Sequence, residues 1–338
     1  MQRFLQKISN KQNLTQKEME HATRLLFLET TTEAEIGAFL TELKAKGETT
    51  EEITGIVNVI REKSLCINEH IPNVIDNCGT GGDGSQSFNI STTAAFVIAG
   101  VGITVAKHGN RSISSKTGSA DVLEALGVSL TMDKDQMQQI LKQNGIAFLF
   151  APHVHPSLKR VMKIRKVLNV PTIFNLIGPL TNPIQLTTQL MGIYCRDMLV
   201  QMAEVLSQLG RKRAIVVNGA GYMDEASLAG DNFLVLLEDG ELHSFTLSPA
   251  DVDLPQYDNE AIKGGDATKN AKILRGVLEG KTGAHRDTVL LNAGIGIYAH
   301  GKVDSVREGI QLAKESIDSG RALKKLENLI KYSLANEV

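Results

Sequence analysis

The spacing of apolar residues changes near residue 71 of the chain. Before that point glycine is almost absent, and apolar residues recur three and four positions apart, as at Ala22, Leu25 and Leu26, which predicts amphipathic helices. Beyond it, short apolar or β-branched runs alternate with glycine-rich turns and helical stretches. That alternation is typical of an α/β protein with a largely parallel sheet flanked by helices. We therefore expect a small all-helical domain followed by a larger α/β domain.

Three capping boxes predict where the first helices begin. In each, a threonine hydroxyl can accept from the first free amides of a helix, and a glutamate three residues later can accept from the threonine amide. The pairs are Thr15 with Glu18, Thr32 with Glu35, and Thr49 with Glu52. Gly47 is expected to end the helix that follows Thr32.

Four short runs predict strands of the sheet, at residues 73–76, 103–107, 146–151 and 214–219. The segment 156–183 interrupts this alternation with an amphipathic helix and proline-bounded turns, and we interpret it as a crossing between the domains. The expected division is a helical domain of residues 1–71 joined by about 160–184, and an α/β domain of residues 72–159 and 185–338. Helical patterns near 304–317 and 320–336 close the chain.

Charge and cysteine content narrow the choice of partners. The 338 residues include 36 Lys and Arg against 38 Asp and Glu, so nucleic acid is not an expected partner and any anion site has to be local. Cys66, Cys78 and Cys195 are odd in number and far apart, which favours reduced thiols over a disulfide framework. Neither a signal peptide nor a run of about 18 apolar residues is present, so we expect a cytoplasmic protein without membrane contact.

A glycine-rich stretch at residues 76–100 is the first candidate for ligand binding. A short strand ends at Asp76, glycines that permit positive φ follow, and a helix is expected to begin near Asn89. Such a turn presents free amides and a helix N-terminus to a phosphate or pyrophosphate. The glycine spacing is that of neither a P-loop nor a dinucleotide fingerprint. Taken alone, the glycines are equally compatible with a turn that only connects a strand to a helix.

A second stretch, residues 107–127, strengthens the anion hypothesis. It places Lys107, Arg111 and Lys116 among serines and glycines, a composition suited to a phosphate group. Two such loops imply a substrate with two separated anionic groups. The adjacent acids Asp224 and Glu225 would usually be inert on a solvated loop, but beside two phosphate loops they become candidate Mg²⁺ ligands.

Four motifs in order resemble those of bacterial anthranilate phosphoribosyltransferases: GTGGDGSQSFNIST, KHGNRSISSKTGSADVLEALG, HPSLKRVMKIRKVLNVPTIFNLIGPLTNP and MDEAS. The resemblance covers nearly the whole chain at family-like spacing. It implies a homodimer that pairs through the small helical domain, with the active site at the hinge between the domains. It also implies Mg²⁺-dependent transfer of phosphoribosyl from phosphoribosyl pyrophosphate to the anthranilate amine, with release of pyrophosphate, in tryptophan biosynthesis.

The resemblance also assigns residues. Phosphoribosyl pyrophosphate would be bound by Gly79, Gly82, Asp83, Ser87, Asn89, Ile90, Ser91, Thr92, Lys107, His108, Gly109, Asn110, Arg111, Ser112, Ile113, Ser114, Ser115 and Ser119. Two Mg²⁺ ions per active site would be bound by Ser91, Asp224 and Glu225. Anthranilate would contact Gly79, Asn110 and Arg165, since a guanidinium can pair in bidentate fashion with its carboxylate. Without the family context, Arg165 is more simply interpreted as part of a solvated helix face.

Some positions depart from the family pattern. Asn218 stands where the family commonly has a histidine, and Tyr222 and Met223 replace a small and an apolar residue before the acids. The first departure puts a hydrogen bond near the metal loop in doubt. Ser87 replaces a threonine and keeps the hydroxyl.

The reaction needs little activation of its nucleophile, because an aromatic amine is uncharged at neutral pH. Departure of pyrophosphate is the difficult step, and we expect an oxocarbenium-like transition state stabilised by Mg²⁺ and the basic loop. No side chain is an obvious general base. His108, in the second loop, and His155, at the start of the crossing segment, are the candidates to take the proton after attack.

Two alternative functions fit the same architecture. A pyrimidine nucleoside phosphorylase also combines a helical domain with an anion-binding α/β domain. A nucleic-acid-binding relative that has lost the chemistry would show a basic groove and a damaged substrate loop, whereas this chain is nearly neutral and its loops and acids are complete. A loose association with a separate anthranilate synthase is a further expectation.

Overall fold

The computed structural model describes residues 1–65, 67, 71–112 and 116–334. Four helices open the chain: α1 (Gln2–Ser9), α2 (Gln16–Leu26), α3 (Glu33–Lys46) and α4 (Thr50–Glu62). All three predicted capping boxes are confirmed, at the starts of α2, α3 and α4, with both reciprocal hydrogen bonds present in each. Gly47 ends α3 as predicted, at a φ of 91° that favours glycine.

A buried ion pair joins α3 to α4. Lys46 Nζ lies 2.8 Å from Glu52 Oε2, and the two side chains are 3% and 0% exposed. Glu52 Oε2 also accepts from the Thr49 amide at 2.9 Å, and Oε1 accepts from the amide of Leu14 at 2.9 Å. One carboxylate therefore connects three segments of the helical region.

We expect Glu52→Gln to lower the free energy of unfolding by about 2 kcal/mol, because Lys46 would keep hydrogen-bond acceptors but lose its counter-charge. Glu18→Gln is the matched control. It removes the same capping-box carboxylate from α2, where Glu18 is partly exposed and pairs with Lys7, so its effect should stay below about 0.5 kcal/mol. Chemical denaturation measures both, and equal losses would contradict the argument from burial.

In the part of the chain that the structure describes, seven strands form one sheet. They are β1 (Val74–Gly79), β2 (Thr104–Gly109), β3 (Ile146–Phe150), β4 (Thr188–Gly192), β5 (Arg213–Asn218), β6 (Asn232–Glu238) and β7 (Glu241–Leu247). Their order is β3-β2-β1-β4-β5-β6-β7. The first five pair in parallel, whereas β6 and β7 are antiparallel. The prediction of a largely parallel sheet is confirmed, and the four predicted runs correspond to β1, β2, β3 and β5.

Helices cover both faces of this sheet. They are α5 (Ile90–Gly100), α6 (Ser119–Ala125), α7 (Lys134–Asn144), α8 (Ala151–Val154), α9 (Lys159–Leu168), α10 (Leu199–Gln208), α11 (Ala267–Leu278), α12 (Ala284–Ala299), α13 (Val306–Asp318) and α14 (Arg321–Ser333). The two helical patterns expected at the end of the chain are confirmed as α13 and α14. Within the described ranges, no helix is both long and apolar enough to cross a lipid bilayer. Cys78 and Cys195 are free thiols, and Cys66 lies outside the described residues.

Two apolar cores lie on opposite faces of the sheet. The larger packs α5 and the C-terminal helices against one face, with Phe96 and Ile295 fully buried. The second joins the N-terminal helices to α9, α10 and the other face, through residues such as Ile56, Ile164 and Val216. The crossing segment thus packs beside the N-terminal helices. Because this core also includes the sheet, the change at residue 71 is one of secondary structure, without a break in apolar packing.

The strand order reverses direction at β1. From β1 the chain proceeds to β2 and β3 on one side, and later to β4 and β5 on the other. At such a switch point the connections leave in opposite directions and open a crevice beyond the carboxyl ends of the strands, where α/β proteins bind ligands. Gly79 and Gly192, the last residues of β1 and β4, pair in register at this edge.

Candidate active site

The first glycine-rich loop starts at the switch point. It leaves β1 at Gly79 and enters α5 at Ile90, so the predicted order of strand, turn and helix is confirmed. The strand continues to Gly79, three residues beyond its predicted end at Asp76. Gly81 and Gly82 have φ values of 67° and 80°, in the left-handed region that glycine adopts without strain. Asp83 Oδ1 accepts from both the amide and the hydroxyl of Ser85, at 3.0 and 2.9 Å. The loop therefore folds into a tight turn that brings its backbone amides to the edge of the sheet.

The two acids after β5 contact this loop. Asp224 Oδ2 accepts from the Gly81 amide at 2.6 Å, and the Asp224 amide donates to Asp83 Oδ2 at 3.3 Å. Glu225 Oε1 accepts from the amide of Ser91 at 3.1 Å, in the first turn of α5. The three residues predicted to bind Mg²⁺, Ser91, Asp224 and Glu225, are therefore brought together at the carboxyl ends of the strands.

This close approach depends on glycine in both central strands. A β-carbon at Gly79 would collide with the Asp224 carboxylate, and one at Gly192 would collide with the Asp224 backbone carbonyl. Sequence reasoning singled out Gly79 but missed Gly192. The available signal was a glycine at the end of an apolar run that pairs with β1, and it becomes informative only once the strand register is known.

The electrostatics of the acids suit a cation. Burial raises the pKa of Asp224 well above its usual range, and the neighbouring Glu225 and Asp83 carboxylates raise it further. Burial also raises the pKa of Glu225 to about 7, although the charge of Lys107 opposes the shift. Asp224 is buried and Asp83 and Glu225 are half-buried, so a divalent cation would relieve the repulsion among these three carboxylates.

The described residues contain no preformed group of three His, Cys, Asp or Glu side chains that could hold a metal ion. Mg²⁺ does not require such a cage, because it usually binds one or two carboxylates and completes its shell with waters and substrate phosphates. Asp224 and Glu225, with the Ser91 hydroxyl nearby, therefore fit Mg²⁺ that arrives with a phosphate substrate.

The second predicted loop leaves β2 at Gly109 and leads to α6. Asn110 and Ser119 fix its two ends, since the Asn110 amide donates to Ser119 Oγ at 3.1 Å and this hydroxyl donates to the Asn110 carbonyl at 3.2 Å. Asp121 Oδ2 accepts from the amides of Ser112 and Gly118, at 3.1 and 2.8 Å. The predicted ligands Ile113, Ser114 and Ser115 lie outside the described residues.

The cations of the second loop have different environments. The Arg111 guanidinium donates to the carboxylates of Asp121 and Glu124 at 2.8–2.9 Å, and its side chain is 46% exposed. Lys107 is buried, with Nζ 3.3 Å from the His108 carbonyl. Lys107 therefore contributes positive charge from beneath the site, whereas Arg111 is paired with the acids of α6 on its outer side.

Two buried histidines connect the second loop to the crossing segment. His108 Nδ1 donates to the Gly178 carbonyl at 3.1 Å, and the His155 ring packs edge-on against it with centroids 5.3 Å apart. Burial lowers the pKa of His108 well below its usual range, and repulsion from a protonated His155 ring would lower it further. Burial also lowers the pKa of His155 to about 4. Both rings are therefore neutral near pH 7, and His108 Nε2 is left as an acceptor without a partner among the described residues.

Arg165 does not lie on a solvated helix face. Its Nη2 donates to Asn175 Oδ1 at 3.0 Å, its Nη1 lies 3.0 Å from the Met162 sulfur, and its guanidinium lies 5.2 Å from the Phe174 ring centroid. Burial lowers the pKa of Arg165 to about 10, and its Nε has no partner among the described residues. These partners all belong to the crossing segment, which therefore holds a partly buried guanidinium with both terminal nitrogens engaged.

Comparison with known proteins finds relatives that match nearly the whole chain. Residues 71–323 match the family described as glycosyl transferase family, a/b domain, and residues 2–64 match glycosyl transferase family, helical bundle domain. Anthranilate phosphoribosyltransferase of Bacillus cereus (strain G9842) is 57% identical over 333 residues, which cover 98% of this chain and 98% of that protein. The chain belongs to the anthranilate phosphoribosyltransferase family.

Solved structures of the anthranilate phosphoribosyltransferase family share the fold. The Thermus thermophilus enzyme superimposes with a TM-score of 0.93 at 38% identity, covering 98% of this chain and 99% of that one. The Saccharomyces cerevisiae enzyme in complex with phosphoribosyl pyrophosphate and Mg gives a TM-score of 0.90 at 27% identity, covering 97% of each chain. The resemblance inferred from four motifs is confirmed, and neither the nucleoside phosphorylase nor the nucleic-acid-binding alternative is favoured.

The departures from the anthranilate phosphoribosyltransferase pattern have a structural account. Asn218 is fully buried, donates to the Ile193 carbonyl at 2.7 Å, and accepts from Arg196 Nε at 2.8 Å. The Arg196 guanidinium lies 4.4 Å from the ring centroid of Tyr222 and 3.9 Å from that of Phe233. Asn218 and Tyr222 thus share one arginine, and the loop that carries Asp224 and Glu225 is anchored without the histidine.

Sequence reasoning also missed the segment from residue 262 to 270. The Phe88 amide donates to the Ile262 carbonyl at 3.0 Å, and the Gly264 amide donates to the Gln86 carbonyl at 2.9 Å. This segment therefore packs along the first glycine-rich loop. The sequence signal was a Gly-Gly pair followed by Asp266, which caps α11 through the Lys269 amide, but nothing local in the sequence indicates its partners.

Proposed function

We propose that the crevice at the ends of β1 and β4 is where this chain performs the reaction of its family, transfer of phosphoribosyl from phosphoribosyl pyrophosphate to the anthranilate amine. The observation that carries the proposal is the contact of Asp224 and Glu225 with the first glycine-rich loop. It supports a cation site beside a helix N-terminus, an arrangement suited to pyrophosphate.

The two loops divide the work of binding phosphoribosyl pyrophosphate. From the end of β1 to the start of α5, the proposed ligands are Gly79, Gly82, Asp83, Ser87, Asn89, Ile90, Ser91 and Thr92. The other proposed ligands are Lys107 to Ser115 and Ser119. The Asn89 side chain donates to the Thr117 carbonyl at 3.2 Å, which supports this proposal because it brings the loops side by side. One loop can then contact each of the two anionic groups.

Mg²⁺, two ions per active site in this proposal, would be bound by Ser91, Asp224 and Glu225. When bound, it neutralises the charge that develops on departing pyrophosphate. The chain itself supplies the amides of Gly81 and Ser91, which fix both carboxylates in place, and the buried charge of Lys107. Preorganised groups of this kind need no rearrangement during the reaction.

Anthranilate would enter from the side of the crossing segment and contact Gly79, Asn110 and Arg165. The partly buried guanidinium of Arg165, held in place by Asn175 and Phe174, supports a role in binding the substrate carboxylate. The arylammonium that forms on attack is strongly acidic, so a weak acceptor suffices, and His108 Nε2 is the proposed one.

We expect Arg165→Lys to raise KM for anthranilate about tenfold, because lysine keeps the charge but not the planar pair of donors. KM for phosphoribosyl pyrophosphate should change less than twofold. Initial rates with each substrate varied in turn measure both constants. An unchanged KM for anthranilate would remove Arg165 from the site.

The activity itself is tested by the loss of anthranilate fluorescence in the presence of phosphoribosyl pyrophosphate, with and without Mg²⁺. We expect a decay that requires both additions and stops when EDTA removes the metal. Phosphate-dependent cleavage of thymidine or uridine, without any decay of anthranilate fluorescence, would overturn the proposal in favour of a nucleoside phosphorylase.

We further propose that the chain is a cytoplasmic homodimer that pairs through its helical region, residues 1–71 joined by about 160–184. Leu28, Val167 and Val170 support this face, because they are 48, 79 and 49% exposed and all belong to that region. The bond from Arg160 Nη1 to the Leu28 carbonyl, 2.7 Å long, places Leu28 beside α9. Any association with anthranilate synthase would be between separate chains.

A further inference from the structure

The segment from residue 262 to 270 contacts both phosphate-binding loops. Two backbone hydrogen bonds already described join it to residues 86 and 88 of the first loop. The Thr117 hydroxyl, in the second loop, donates to the Gly265 carbonyl at 2.8 Å. The segment thus lies where it can set the distance between the loops, although no motif marks it as part of the site.

Asn270 occupies the centre of these contacts. It lies in the first turn of α11 and is 2% exposed. Its Nδ2 donates to Asn89 Oδ1 at 2.9 Å, and its Oδ1 accepts from the Gly265 amide at 2.8 Å. Asn89 in turn donates through Nδ2 to the Thr117 carbonyl. Two side-chain amides therefore form a continuous chain of hydrogen bonds from Gly265 to the second loop.

This series of hydrogen bonds changes the role of Asn89 at the start of α5. Asn89 is the N-cap residue of that helix, a position where asparagine normally accepts from the first free amides, yet its side chain makes no capping bond. Its side-chain oxygen, Oδ1, accepts from Asn270 Nδ2 instead. Among the first amides of α5, that of Ile90 donates to the Phe88 carbonyl and that of Ser91 donates to Glu225, so the Thr92 amide is the one that the Asn89 side chain could cap. Because Asn270 holds that side chain, the Thr92 amide and the positive end of the helix dipole stay open to an anion.

We infer that Asn270 is a positioning residue for phosphoribosyl pyrophosphate: it turns the Asn89 side chain away from the amides of α5 and fixes the spacing of the two loops. This inference rests on the proposed function, since it requires a phosphate group at α5. Asn270 acts through Asn89 and does not touch the substrate. Without it, Asn89 is free to rotate back and cap the helix, in competition with the phosphate.

The test is a comparison of kinetic constants in the full-length protein. We expect Asn270→Ala to raise KM for phosphoribosyl pyrophosphate about tenfold, which corresponds to the free energy of one helix N-cap hydrogen bond. KM for anthranilate should change less than twofold. Asn270→Asp should act in the same direction, because a carboxylate still accepts from Gly265 but cannot donate to Asn89. It provides the measurement if the alanine variant folds poorly.

Two controls separate positioning from general stability. Asn144→Ala removes another buried asparagine, which donates to the Lys325 carbonyl at 2.9 Å in a different part of the fold, and it should lower stability without changing KM for phosphoribosyl pyrophosphate. In a double-mutant cycle, Asn270→Ala should add less than a twofold effect once Asn89 is alanine.

Each outcome has a distinct meaning. A wild-type protein without Mg²⁺-dependent consumption of anthranilate would overturn the proposed function, and this inference with it. An active wild-type protein whose two Asn270 variants keep KM for phosphoribosyl pyrophosphate within twofold would overturn the inference alone. Fully additive effects of Asn89→Ala and Asn270→Ala would show that Asn270 does not act through Asn89.

Discussion

Asp224→Asn is expected to lower kcat/KM about 10³-fold, equivalent to roughly 4 kcal/mol of transition-state stabilisation. The variant keeps an oxygen for the Gly81 amide and nearly the same volume, so the loop should stay in place. What it removes is the negative charge nearest the proposed Mg²⁺ and pyrophosphate. Initial rates of anthranilate fluorescence loss over a range of Mg²⁺ concentrations measure the effect. In the variant, the Mg²⁺ concentration that gives half-maximal activity should be higher and kcat/KM lower than in the wild type.

His155→Ala is the comparison for this prediction. His155 is buried against His108 and neutral near pH 7, so its loss should affect packing more than the departure of pyrophosphate. We expect its kcat to stay within about tenfold of the wild-type value. Equal losses in the two variants would contradict a mechanism limited by the leaving group.

Gly192→Ala is expected to lower kcat/KM about 10²-fold and the free energy of unfolding by about 2–3 kcal/mol. The added β-carbon would collide with the backbone carbonyl of Asp224, which no side-chain rotation can relieve. Either β4 or the acid loop has to move, and in both cases Asp224 leaves its position over Gly79. Thermal unfolding and the fluorescence assay together measure the two effects.

Gly276→Ala controls for the substitution itself. Gly276 lies within α11, where a β-carbon would be in ordinary contact 3.7 Å from the Lys281 side chain. Alanine should stabilise the helix by up to about 1 kcal/mol and leave the rate unchanged. A loss of activity at Gly276 as large as that at Gly192 would indicate that the assay responds to general stability instead of to the acid loop.

The parts of the fold that follow from local chemistry were predictable from sequence. Each capping box is complete within four residues, so the starts of α2, α3 and α4 needed no tertiary information. The strand before the first glycine-rich loop was also correct, because a β-branched run followed by glycines has few other interpretations. The proximity of Asp224 to that loop was a hypothesis from the two anion-binding loops, and the family resemblance supported it.

The remaining features depend on contacts between distant segments. The role of Gly192 becomes clear only when it is placed opposite Gly79, and that placement requires the register of β4 against β1. Asn270 is one polar residue in a helix until Asn89, 181 positions away, is placed beside it. Without the family resemblance, the basic residues around Arg165 would indicate a solvated helix face, whereas the fold half-buries it against Phe174. Such partners leave no periodic or compositional signal in one sequence.

The stacking of Arg196 has a consequence for how this loop can vary among relatives. Asn218 supplies the acceptor for Arg196, and Tyr222 and Phe233 supply the two aromatic faces around its guanidinium. A histidine introduced at position 218 alone would have to accept from Arg196 and donate to the Ile193 carbonyl with a larger ring in a fully buried position. A small residue at 222 would remove one aromatic face. The residues at positions 196, 218 and 222 therefore depend on one another. Replacing this loop with that of a relative that carries the histidine would require all three residues to be exchanged together.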